Sequence, residues 1–160
     1  TLFFCAGTFA ETRGIHRVSE MAGIGRRMPW TTSAFTVGAL GMIGVPPTAG
    51  FITKWYLGLG GLEIGADWVV AVLVASSLLN AAYFLPIVYT AWFRPWRGGP
   101  EPMDGIGRPA WRGEAPWLLL VPPVVTALLA LGLGLLAEMP LSALDWARRI
   151  SHQEFGAWSL

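Results

Sequence analysis

Lys54 is the residue in this chain whose type and setting point most directly to chemistry. It is the only charged residue between Arg27 and Glu63, and it follows the run Val45-Pro46-Pro47-Thr48-Ala49-Gly50. Its neighbours are apolar or small, with Met42 and Ile43 before the run and Phe51, Ile52, Trp55 and Leu57 after it. An ionisable group in hydrocarbon costs roughly 2.5–3.5 kcal/mol on insertion scales, and such groups mark ion and proton pathways. Burial disfavours an ammonium relative to the neutral amine, which is the property a protonatable relay needs. Two plainer readings stand beside this one: snorkelling of the ammonium to the membrane surface, and a static pair with an acid elsewhere. A helix rises roughly 12 Å between Lys54 and Leu62, and a lysine side chain reaches about half of that. Snorkelling therefore shortens the gap without closing it.

The run before Lys54 carries its own chemistry. Pro46 and Pro47 have no N–H and their rings clash with the preceding turn, so carbonyls near Met42 and Ile43 lose their intrahelical partners. Unwound backbone at membrane depth is tolerated only inside protein or beside a water-filled cavity, and broken helices of this kind build ion sites in transporters. A structural kink is the alternative. Pro46, Pro47 and Gly50 are thus the expected helix break, and Thr48, Thr53, Asn80 and Tyr83 are candidate linings of a path past Lys54. Ser76, Asn80 and Tyr83 are spaced by four and three, so they share a helical face. Interhelical hydrogen bonding is the other use of such a face, and Gly38, Gly41 and Gly44 favour close helix packing.

The elements that must position these residues are membrane helices. Of 160 residues, 54% are hydrophobic and 13% charged, against about 25% charged in an average soluble domain. Mean hydropathy is +0.52, and the apolar residues come in long blocks, which predicts a membrane protein. A net charge of +1 gives no electrostatic support for nucleic-acid binding. The single cysteine, Cys5, excludes an internal disulfide and supplies no metal cluster. His16 and His152 stand far apart, so no metal site is expected. There is no nucleotide loop, Ser–His–Asp set or redox motif, so neither a cofactor nor a catalytic site is expected in this chain. It opens on Thr-Leu-Phe-Phe without a basic segment and reads as the C-terminal part of a longer protein.

The expected fold is an all-α polytopic transmembrane bundle with about three crossings plus the end of a further helix. Residues 1–12 read as that helix end, 31–62 as a broken transmembrane helix, and 67–93 and 116–138 as single crossings. The stretch 28–62, uncharged but for Lys54, would be about 52 Å long as one helix, against a hydrocarbon core of roughly 30 Å, which favours two half-helices over 31–44 and 51–62. Arg13, Arg17, Arg26 and Arg27 before the break, and Arg94, Arg97, Arg108 and Arg112 in a 94–115 loop, place both segments on the cytoplasmic side. The 61–67 turn, with Glu63 and Asp67, then faces out. Trp30, Trp68, Trp92, Trp96, Trp111 and Trp117 fall near helix ends, as an aromatic belt requires. Residues 141–151 read as a short interfacial helix.

The segments Leu2-Phe3-Phe4-Cys5-Ala6-Gly7, Gly25-Arg26-Arg27-Met28-Pro29 and Gly38 through Leu57 closely resemble the antiporter-like proton-conducting subunits. That family comprises large membrane subunits of respiratory complex I and related hydrogenases, and Mrp-type sodium/proton antiporter subunits. The resemblance is strong over roughly residues 1–93 and implies inverted repeats, each with one broken helix. It implies that Lys54 occupies the position of a proton-path lysine or glutamate in the family's twelfth helix, near the exit, with the residues that feed it lying upstream. It further implies a multi-pass subunit in a prokaryotic plasma membrane, partnered by the lipid bilayer and other membrane subunits. Protons are the implied cargo, with sodium as a second candidate, and any enzymatic role is that of a pumping subunit of an NADH:quinone oxidoreductase. Complex I-like, hydrogenase and Mrp membership are not separated by these motifs. A substrate transporter with an anion site at the broken helix, and a purely structural subunit, remain the rival classes.

Overall fold

The computed structural model describes residues 1–95 and 114–137. Most of the expected 94–115 loop, the expected interfacial helix over 141–151, and Trp96, Trp111 and His152 lie outside the described residues. Every regular element described is helical. Helix α1 spans Leu2–Arg13, α2 Pro29–Ile43, α3 Ala49–Glu63, α4 Asp67–Phe93 and α5 Trp117–Leu135, with 3-10 turns at Val18–Met21 and Ile24–Arg26.

Local chemistry sets the helix ends. Helix α1 stops at Gly14, which takes the left-handed conformation (φ 63°) and returns its N–H to the Ala10 carbonyl at 2.9 Å. Helix α2 opens on Pro29, whose missing N–H is harmless in a first turn and whose φ is already helical. It ends at Gly44, again left-handed (φ 86°), and the Gly44 and Val45 N–H groups both return to Leu40 O. Helices α2 and α3 have 15 residues each, about 22 Å apiece, so neither alone crosses a core of roughly 30 Å. Helices α4 and α5 are both long and apolar enough to do so.

Helix α2 is the hub, in contact with α1, α3, α4 and α5, while α3 lies between α4 and α5. Cys5, Phe9, Ile24, Met28, Phe35, Ile87 and Ala91 form the core around it, and the Phe9 and Phe35 rings meet at a centroid distance of 6.2 Å. Between membrane helices, close packing and interhelical hydrogen bonds do the holding, since lipid is as apolar as a leucine side chain. Such bonds include Thr1 to Thr126 at 2.9 Å, Thr8 Oγ1 to Leu119 O at 3.1 Å, and Trp92 Nε1 to Thr36 Oγ1 at 3.0 Å. Leu78, Leu79, Leu128 and Leu129 face outward, the all-round apolarity of helices surrounded by lipid or by other membrane protein.

The two ends of the bundle differ. Gly23 N–H donates to Thr90 O at 3.1 Å, so the turns after α1 dock on the last turn of α4. At the same end the Glu114 carboxylate accepts from Trp30 N–H and Thr31 N–H and, at 2.9 Å, from the Thr31 hydroxyl. Glu114 thereby caps the otherwise uncapped start of α2 from the far side of the 96–113 segment, where an anion meets the positive end of the helix dipole. The α3–α4 turn, with Glu63 and Asp67, lies at the opposite end of those helices. Trp30, Trp68 and Trp117 are exposed at helix ends, whereas Trp92 turns inward to Thr36.

Candidate functional site

The site is built where α2 stops and α3 begins. In a continuous helix the N–H groups of residues 46 and 47 would donate to Met42 O and Ile43 O. Both positions are proline, and the Pro46–Pro47 peptide is cis. The two carbonyls receive the Lys54 ammonium instead: Nζ lies 3.1 Å from Met42 O and 3.0 Å from Ile43 O. Its third donor goes to Ser77 Oγ on α4 at 2.8 Å. An ammonium has three donors and no acceptor, so these partners take all of them. All three are neutral. The favourable electrostatics come from carbonyl dipoles at the C-terminal, negative end of α2.

Backbone geometry makes room for this arrangement. A Cβ on Gly44 would stand 2.9 Å from Lys54 Cδ, so this glycine supplies both the left-handed turn and the space for the lysine stem. Val45 O accepts from Thr48 N–H at 3.1 Å and Thr48 Oγ1 at 2.7 Å, which satisfies one unwound carbonyl within the break. Gly134 of α5 presses on the same segment, where a Cβ would stand 2.6 Å from the Thr48 carbonyl carbon and 2.7 Å from Ala49 N. Gly50 likewise lies against the Gly41 backbone. The Thr48 side of the break thus packs against α2 and α5, while Val45, Pro46 and Pro47 are exposed, and α4 supplies the third partner of Lys54.

The expected path-lining residues take the following places. Thr48 is buried, with its hydroxyl on Val45 O. Thr53 is exposed and its hydroxyl bonds within α3 to Ala49 O at 3.1 Å. Asn80 Nδ2 donates within α4 to Ser76 O at 3.0 Å. Tyr83 is 62% exposed and lines a separate cavity of about 430 Å³ with Phe3, Phe9 and His16. Of α4, Ser77 is the residue whose side chain meets Lys54, at 2.8 Å, while Tyr83 lines the other cavity. Consecutive helical residues point about 100° apart, and a helix apolar on every side gives no sequence cue for its rotation. The cue that was present is the Ser76-Ser77 pair, which puts a hydroxyl on either of two faces.

Lys54 and Ser77 open together onto a cleft of about 380 Å³ between α3 and α4. Its walls include Trp55, Leu59, Leu73 and Val74, and it reaches Leu62 and Val70, close in sequence to Glu63 and Asp67. The described helices thus form a membrane-type bundle in which the cation of a broken helix sits on the carbonyls freed at the break. Residues 1–80 match the family described as NADH:quinone oxidoreductase/Mrp antiporter, TM, and the chain belongs to that family. It is 44% identical over 156 residues to an NADH-quinone oxidoreductase subunit N of Desulforudis audaxviator, covering 91% of this chain and 30% of that protein. It is 32% identical over 134 residues to the subunit N of Trichlorobacter lovleyi, covering 82% of this chain and 24% of that protein. Its fold is similar to that of a chain in the Mrp complex from Dietzia sp., with TM-score 0.67 and 23% identity, over 86% of this chain and 32% of the other. The chain spans about a third or less of the length of these relatives.

Proposed function

We propose that this chain forms the lysine-bearing end of a proton-translocating membrane subunit, of the type found in complex I-like NADH:quinone oxidoreductases and Mrp antiporters. Lys54 is the protonatable relay in this reading. It works beside other membrane subunits in a prokaryotic plasma membrane, with protons as cargo and sodium as the alternative. The relatives named as subunit N of an NADH-quinone oxidoreductase favour the complex I-like assembly.

The observation that carries the reading is the position of Lys54 Nζ on the Met42 and Ile43 carbonyls, whose backbone donors the two prolines remove. Such a site holds a cation without a carboxylate, so the charge is not locked into a salt bridge. The same geometry weighs against an anion site: every ammonium donor is committed, and the dipole end it faces is negative. Lys54→Met and Lys54→Arg in the full-length subunit, assembled in its complex and reconstituted in vesicles, test the relay. Arginine supplies a cation to the carbonyls but does not deprotonate in proteins. Both variants should therefore assemble and lose proton translocation. Translocation at the wild-type rate in either would sink the relay.

A further inference from the structure

Met42 O, Ile43 O and Ser77 Oγ all accept from the Lys54 ammonium, and only one of them can also donate. Carbonyl oxygens accept and never give, whereas a hydroxyl does both. We propose that Ser77 is the proton-transfer partner of Lys54, passing the relay's proton to and from water in the α3–α4 cleft. This assignment rests on the reading of Lys54 as a relay.

The hydrogen-bond count requires a group of this kind. A protonated lysine matches three acceptors with three N–H donors. A neutral amine keeps two N–H groups and presents one lone pair. The two carbonyls continue to take the two N–H groups, and the lone pair appears where the third donor was, opposite Ser77. A third carbonyl there would face that lone pair and oppose deprotonation. The Ser77 hydroxyl reverses its role and donates, so both charge states of Lys54 are fully paired.

The transfer balances in atoms and charge. The Nζ–H bond toward Ser77 breaks as a new Oγ–H bond forms. The original hydroxyl proton leaves Ser77 for a water in the cleft, which becomes hydronium. Lysine is left as the neutral amine, accepting from the proton that Ser77 has just received, and the reverse sequence reloads it. Position suits the role, since Lys54 and Ser77 are the polar side chains that line the same cleft of about 380 Å³. Among the described residues, α2 and α5 carry no titratable side chain, and the other titratable groups of α3 and α4 are Tyr56, Glu63, Asp67, Tyr83 and Tyr89. None of these is among the three partners of the ammonium.

The test uses the full-length subunit in its assembled complex, reconstituted in vesicles with a pH-sensitive dye inside. Ser77→Thr and Ser77→Val differ in one hydroxyl at nearly equal volume. The threonine variant should translocate within about threefold of wild type, and the valine and Ser77→Ala variants should fall by about 10²-fold, the scale of a lost proton-transfer group. A serine that only fills space would leave threonine and valine equal, and that result overturns the proposal. Lys54→Met in parallel separates the two levels: loss of translocation there with Ser77→Val unaffected removes Ser77 alone, whereas an active Lys54→Met removes the relay reading beneath it.

Discussion

A methyl group placed at Gly134, eighty residues from Lys54, should disturb the site more than most substitutions near it. An alanine Cβ there would stand 2.6 Å from the Thr48 carbonyl carbon and 2.7 Å from Ala49 N, and nearer still to Pro47 O. Carbon atoms in comfortable contact lie about 3.5–4.0 Å apart, so the shortfall is about 1 Å. The added Cβ is fixed to the α5 backbone and the atoms it meets are backbone, so no rotamer relieves the clash. Helix α5 must withdraw, or the Pro47–Ala49 segment must move toward α2. Overpacking in a filled interior typically destabilises by about 1–3 kcal/mol, and the backbone character of these contacts places Gly134→Ala at the upper end. A shift of about 1 Å at Ala49, the first residue of α3, also displaces Lys54 against carbonyls that now lie 3.0 and 3.1 Å from it, enough to leave the ordinary range of about 2.7–3.2 Å. The assay is thermal unfolding of the purified full-length complex in detergent, paired with translocation in vesicles. Gly134→Ala should lower both the melting temperature and the rate, while Gly132→Ala, which meets nothing within 4 Å, should change neither. Equal behaviour of the two variants would refute close packing of α5 on the break.

Two further outcomes follow from the polar contacts. Glu114→Gln removes the negative charge that meets the start of α2 but keeps an acceptor oxygen; it should destabilise by about 1 kcal/mol, read as a lowered melting temperature with translocation retained. Glu20 accepts from the His16 and Arg17 backbone N–H groups at 3.0 and 3.1 Å, and these bonds hold its carboxyl below the usual carboxylate range. Because the folded value is the lower one, the stabilisation is full above the unfolded value and is lost as pH falls through the folded value. Amide exchange at His16 and Arg17, corrected for intrinsic pH dependence, should therefore accelerate as pH falls below the usual carboxylate range and lose that response in Glu20→Gln.

What could be read directly from the chain was whatever composition makes conspicuous. A lone lysine in an apolar stretch and adjacent prolines are visible without a fold, because the energies involved are several times thermal energy and local in sequence. The partner of Lys54 on α4 was not visible, because Ser76 and Ser77 are equivalent until packing fixes the rotation of that helix. Glu114 was hidden for a related reason. Its role is a contact with Trp30 and Thr31, across a Pro- and Gly-rich segment whose charges read only as topology signals. The glycines were partly legible. Gly38, Gly41 and Gly44 suggested one packing stripe, yet they meet three neighbours: Leu2 of α1, Thr48 at the break, and the stem of Lys54.

The carbonyls of Met42 and Ile43 have one further consequence. Because a side chain replaces their backbone donors, the charge state of one lysine is imprinted on two peptide groups. An ammonium polarises a C=O bond more than a neutral amine does, so each proton that leaves should raise the stretching frequency of those carbonyls alone. Carbon-13 placed at the carbonyls of Met42 and Ile43 would turn the break into its own infrared meter, reporting the occupancy of Lys54 during turnover without an added probe.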